Sequence, residues 1–273
     1  MIRILITLAL LSLTGHSSIA SVLSFVKNDV YSLKDTNKAT AILNDKIESD
    51  TQVGTGEQSI CEISLDDKSI TRIGANSMFS FVQKERLIKC DKGTFLVSKD
   101  PETETMTVTT GSVTAAVNGS TVVFDVRDDA THIAVAETTT GVVVTDKNGK
   151  SITLQSGEGI SATVNGMTSS TPKSVDVKDL ISSSPLFTEK GLAPLANDAL
   201  INGVASAQET AKSQGMSFKS EINDIVANRT DSTSVPDIYT ASGTENTTSN
   251  STPPSYSIPP VLSNGVPYQA TPI

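Results

Sequence analysis

Tryptophan is absent from this sequence, and aromatic residues make up only 4% of it. A surface that recognises sugar or single-stranded nucleic acid by stacking draws on such rings, so those functions are disfavoured. Histidine occurs twice and cysteine twice. Cys61, Cys90 and His132 do not fall at zinc-ligand spacings, and no metal or other cofactor is expected. Positive charge is in deficit: the formal net charge is −9, and no Lys- or Arg-rich cluster stands out. Binding nucleic acid or an anionic membrane surface needs concentrated positive charge, so neither is an expected partner. Long apolar runs are missing too, apart from Ile4 to Leu13, which is short of the roughly 20 residues a membrane span needs.

That run has a different use. Arg3 precedes it, and Ser18-Ile19-Ala20 follows with small side chains where signal peptidase needs them. Residues 1–20 are therefore expected to be a signal peptide cut between Ala20 and Ser21. No cysteine follows the cut, which argues against a lipoprotein. The expectation is a periplasmic or extracellular chain with no stable membrane insertion. In an oxidising compartment, Cys61 and Cys90 are expected to form a disulfide. Closing that loop would contribute roughly 3–4 kcal/mol.

The remaining sequence divides into four zones. Residues 21–52 are a lead-in, with strand-like Val22 to Val26 and Asn28 to Leu33 and a turn at Asp35 to Asn37. Residues 53–166 alternate apolar and polar side chains in short Thr- and Val-rich runs, the signature of strands. Turn clusters separate them at Asp66 to Ser69, Asn118-Gly119, Asp146 to Gly149 and Ser156-Gly157. Asn118-Gly119 carries the strongest hairpin signal, since both residues tolerate positive φ. Many short strands imply an all-β core, and the pattern does not choose among sandwich, barrel and solenoid.

Residues 174–229 turn helical. Leu195, Ala199, Val204, Ala207 and Ala211 form one apolar stripe ending at Gly215. Ser217 then caps a second helix, with Phe218, Ile222, Ile225 and Val226 on one face. This segment needs the β-domain or another copy to pack on. Residues 230–273 are rich in Ser, Thr, Asn and Pro and are expected to form a disordered tail, with Tyr239, Tyr256 and Tyr268 as stray aromatics.

Catalytic chemistry finds little support. With the signal removed, His132 is the one remaining histidine, and a Ser–His–Asp or Cys–His arrangement lacks support around it. Asp125, Asp128 and Asp129 are read as a solvated turn, without calcium-loop spacing.

Within the β-zone, the order of short motifs resembles the FecR domain family. Leu65-Asp66-Asp67-Lys68-Ser69 leads into Ile70-Thr71-Arg72-Ile73. Leu87 to Cys90 is followed by Gly93-Thr94-Phe95-Leu96-Val97. Met106 to Val108 leads to Gly119-Ser120 and Phe124-Asp125-Val126. Gly141-Val142-Val143-Val144 and Ile152-Thr153-Leu154-Gln155-Ser156-Gly157-Glu158 close the set. Lys68 stands where the family usually has Gly, and small insertions fall near Thr121 and Thr139. The resemblance implies a compact, solenoid-like β-domain outside the cytoplasm that makes protein contacts. Signalling members of the family span the membrane and bind a sigma factor through a cytoplasmic segment, a role not expected here.

The sequence thus leads to an exported, non-enzymatic interaction module with an envelope or extracellular protein as partner. The alternatives are a structural or adhesin-like surface component with the tail as spacer and, more distantly, a carbohydrate-active enzyme.

Overall fold

A computed structural model describes residues 21–49 and 51–218. The expected signal peptide, the tail, and the helix expected beyond Phe218 lie outside the described residues. Alternation at period two produces strands from the first of these residues onward. In chain order they are β1 (Ser21–Lys27), β2 (Val30–Lys34), β3 (Asn37–Thr40), β4 (Gln52–Thr55), β5 (Ile60–Leu65) and β6 (Ile70–Ile73). There follow β7 (Met78–Val82), β8 (Leu87–Lys99), β9 (Met106–Thr109), β10 (Val113–Val117), β11 (Ser120–Val126) and β12 (Ala130–Thr138). The last are β13 (Val142–Asp146), β14 (Ser151–Leu154), β15 (Glu158–Thr163), β16 (Gly166–Met167) and β17 (Lys173–Ser174).

They form two sheets. The inner sheet runs β1-β5-β6-β8-β11-β12-β15, with β16 and β17 both pairing with β15. The outer sheet runs β3-β2-β4-β7-β8-β9-β10-β13-β14. The β8–β9 pair is parallel and the other pairs are antiparallel. Strand β8 belongs to both sheets: its first half pairs with β7 and its second with β6 and β11. The lead-in is woven into this fabric, since β1 pairs with β5 and β2 with β4.

Between the sheets lies the main core, with Ile63, Phe95, Phe124 and Ile133 from the inner sheet meeting Val53, Phe79, Ile88 and Val144 from the outer. The inner sheet's other face is also apolar. Leu96, Val123, Ala134 and Ala136 meet Val177, Leu180, Leu186, Ile201 and Val204 of three helices, α1 (Val177–Ser183), α2 (Pro185–Thr188) and α3 (Asp198–Ser213). Each Leu, Ile or Val among them contributes roughly 1.5–3 kcal/mol of burial. Cover on both faces explains why β11 is buried along its whole length and reads as a nearly continuous apolar run.

Glycines mark the corners where the chain changes sheet. Gly93, Gly119, Gly141 and Gly157 all have positive φ, and all four belong to the motif set of the sequence. Gly93, at φ +111°, bends β8 from one sheet into the other; a Cβ there would lie 2.5 Å from the Ser77 Cα. The Asn118-Gly119 step is such a corner, in place of the expected hairpin. Only Gly119 has positive φ, and β10 and β11 lie in different sheets. Lys68 takes the left-handed conformation that a glycine would (φ 65°), and the turn closes through Lys68 N–H to the Leu65 carbonyl at 3.0 Å.

The helical cover follows from local chemistry. The Asp176 carboxylate caps α1 by accepting from Asp179 N–H at 3.1 Å. Helix α3 buries Ile201, Val204, Ala205 and Gln208, at the i, i+3, i+4, i+7 spacing. Leu195 and Val204 of the expected stripe are buried, but Ala199 is exposed because Ile201 sets the phase. Gly215 ends α3: its N–H bonds the Lys212 carbonyl and Met216 N–H the Ala211 carbonyl, a Schellman closure.

Candidate functional site between the inner sheet and the helices

Because the inner sheet is covered on both faces, polar residues on its helix-facing side must find partners inside the protein. Glu62 on β5 and Arg72 on β6 sit directly opposite each other, almost fully buried, with Arg72 Nε donating to Glu62 Oε2 at 2.9 Å. The rest of the guanidinium reaches into the helical cover. Nη1 donates to the Leu186 carbonyl at 2.7 Å, and Nη2 to the Ala193 carbonyl. One buried ion pair thus fastens the chain around α2 to the sheet.

A second anchor lies at the start of α3. Asn197 Nδ2 donates to Glu137 Oε1 at 2.8 Å and to the Lys99 carbonyl at 3.2 Å. The other Glu137 oxygen, Oε2, is buried with no hydrogen-bond partner. Burial pushes this carboxyl up to about 7, while the nearby Thr121 and the Asn197 hydrogen bond pull it down. Lys99 Nζ turns the other way and meets Asp67 at 2.7 Å. Burial raises Asp67, but hydrogen bonds from Lys99, Ser69 and Arg86 outweigh it and hold the carboxyl at about 2. Gln208 supplies a third anchor, accepting from Val177 N–H at 2.9 Å and donating to the Val175 carbonyl at 2.8 Å.

Register brings one sequence-derived pair together. Asp125 on β11 lies opposite His132 on β12, and His132 lies opposite Ser161 on β15. His132 Nδ1 is 2.7 Å from Ser161 Oγ, and the Asp125 carboxylate accepts from Arg127 Nε at 2.7 Å and Thr94 Oγ1 at 3.3 Å. Asp125 is fully buried on a strand, which corrects the expectation of a solvated turn. Asp128 and Asp129 are the exposed turn residues. Ser161 lies within a regular strand, with none of the exposed, sharply turned geometry that presents a nucleophile to substrate.

The cysteines also depart from expectation. Cys61 and Cys90 are free thiols in place of a disulfide, Cys61 on β5 of the inner sheet and Cys90 on the outer-sheet half of β8. Both pack as small apolar groups in the core between the sheets, where burial pushes the thiols far up. Ala20 lies outside the described residues. Ser21 opens β1, its hydroxyl donating to the Ile47 carbonyl at 2.7 Å.

A pocket of about 280 Å³ opens beside α2, lined by Lys27, Ile60, Ala75, Pro185, Leu186 and Glu189 among others. At it, Lys27 Nζ pairs with Glu189 Oε2 at 2.6 Å. Sequence reasoning missed Glu62, Arg72, Glu137, Asn197 and this ion pair. The partners are from 10 to 162 residues apart, so the pairing has no local signal.

The class this defines is a two-sheet β-module with one sheet face covered by helices and three long-range polar anchors holding the cover. The family model described as FecR protein matches residues 51–143, from before β4 into β13, about a third of the chain. The match covers the Gly93, Gly119 and Gly141 corners and stops short of Gly157. No curated protein matches the chain. Among solved structures, two crystal structures of a candidate anti-sigma factor from Parabacteroides distasonis ATCC 8503 are similar. The first is 15% identical over 47% of this chain and 63% of its own, with a TM-score of 0.39. The match thus spans less than two thirds of that protein. The second is 12% identical over 62% of this chain and 94% of its own, also with a TM-score of 0.39. Among the described residues no helix is long and apolar enough to cross a membrane.

Proposed function

We propose that this chain is an exported FecR-like module that binds a protein partner in the cell envelope or outside the cell, without covalent chemistry. The observation that carries this reading is the open edge of the outer sheet at β14. Among the described residues β14 pairs only with β13. The Asp146 N–H bonds the Lys150 carbonyl at the base of the hairpin. Antiparallel alternation then turns the backbone of Ile152 and Leu154 toward β13 and that of Ser151 and Thr153 outward. The strand carries no charge and no proline, the usual guards of an edge. An extended segment of a partner can add there as a further strand, held by main-chain hydrogen bonds.

Thr153→Pro tests this. Proline removes an outward N–H while leaving the β13 pairing in place, as edge strands tolerate. The wild-type chain should capture its partner from a native envelope extract and the variant should not, with the same melting temperature for both. Equal capture by both would refute the edge as the binding site. The Asp125–His132–Ser161 row supplies a check on chemistry. Ser161→Ala, which removes the hydroxyl beside His132, should leave capture intact and abolish no turnover on glycan, peptide or ester substrates.

A further inference from the structure

The pocket beside α2 combines features that the binding module does not use. Its floor is apolar, from Ile60, Ala75, Pro185 and Leu186. Its polar wall carries one cation and one anion, Lys27 from β1 and Glu189 from just beyond α2, each partly exposed and 2.6 Å apart. At about 280 Å³ it lies just below the usual range of ligand pockets, roughly 300–1,000 Å³, and so suits a small ligand. A purely apolar ligand would bury nothing against the two charges. An anion alone would face Glu189, and a cation alone would face Lys27. A zwitterion with a short apolar body answers both: its carboxylate meets Lys27, its ammonium meets Glu189, and its side chain covers the apolar floor. One internal ion pair is exchanged for two with the ligand, and the apolar burial is added to that exchange.

We propose that the pocket bounded by Lys27, Glu189, Ile60 and Leu186 binds a free apolar α-amino acid of about the size of leucine. The site lies at the junction of β1, the end of β6 and α2, where Arg72 fixes the Leu186 carbonyl. Occupancy therefore bears on the same segment that the buried ion pair fastens to the sheet.

The test uses the full exported chain and L-leucine, followed by calorimetry and by amide chemical shifts in nuclear magnetic resonance. L-leucine should bind saturably, with shifts at Lys27, Ala75 and Leu186. N-acetyl-L-leucine, which lacks the ammonium, L-leucinamide, which lacks the carboxylate, and glycine, which lacks the apolar body, should each bind at least about tenfold more weakly, a loss of ~1.4 kcal/mol. Ala75→Phe, which fills the pocket, should abolish binding. Lys27→Ala and Glu189→Ala should each weaken it by a similar factor while the melting curve shows a folded chain. The analogue series on the wild-type chain needs no variant to fold. Absence of saturable L-leucine binding at millimolar concentration overturns the proposal. So does equal binding of L-leucine and its blocked analogues, or shifts that map away from the pocket. Loss of partner capture in Thr153→Pro with L-leucine binding intact would separate this site from the β14 edge.

Discussion

Replacing Glu137 with Gln should change how stability depends on pH. The side chain is 1% exposed on β12, one oxygen held by Asn197 and the other without a partner. Its carboxyl is held at about 7 in the folded chain, against the ordinary 4.5. A raised folded value means that the folded state holds the proton more tightly than the unfolded state. The stability this contributes is fully present below pH 4.5 and is lost as pH rises through 7. The span corresponds to about 3 kcal/mol, a large part of a typical domain's stability. Gln keeps an oxygen for Asn197 Nδ2 and cannot ionise, so the variant should gain on the wild type by up to about 3 kcal/mol at pH 8 and lose that advantage near pH 4.5. Urea unfolding at intervals from pH 4.5 to 8 measures the difference directly. Parallel pH profiles for the two proteins would refute the reasoning. Asp67 acts in a separate window: its carboxyl is held at about 2, below the ordinary 3.8. Its contribution is present above the ordinary value and is lost as pH falls through 2.

Arg72→Ala leaves Glu62 charged and buried and should cost about 3–5 kcal/mol, with faster amide exchange around Leu186 and Ala193. Gly93→Ala places a methyl group against Ser77 at positive φ and should lower the melting temperature sharply, by the equivalent of about 3 kcal/mol or more. Equal melting of variant and wild type would show that the corner does not need glycine. Thiol titration of the unfolded, unreduced chain should find both Cys61 and Cys90 free, and the folded chain should label neither.

Much of the fold was legible because the strands carry it locally. Ile70 to Ile73, Val122 to Val126 and Val142 to Val144 are β-branched runs that form β6, β11 and β13. The Asp66 to Ser69 and Asp146 to Gly149 turns close the β5–β6 and β13–β14 hairpins. Sheet membership was not legible. Asn118-Gly119 and Gly93 look like ordinary turn and strand residues until the two sheets they connect are known. The candidate site was less legible still. Glu62 and Glu137 alternate in strands as solvent-facing residues would, and only the helical cover makes that face interior. Asp125 and His132 are buried as well, and the alternation of their strands gives no sign of it. The cysteines read correctly as strand residues, but their pairing depends on geometry between sheets, which spacing does not contain.

The most direct test of the binding edge is hydrogen exchange resolved to single amides on β13 and β14, with and without the partner captured by the wild-type chain. In the free chain the outward amides of Ser151 and Thr153 should exchange fast, while that of Ile152, turned toward β13, exchanges slowly. Partner binding should protect Ser151 and Thr153 and leave Ile152 unchanged. Protection that appears elsewhere while Ser151 and Thr153 stay open would contradict strand addition at β14.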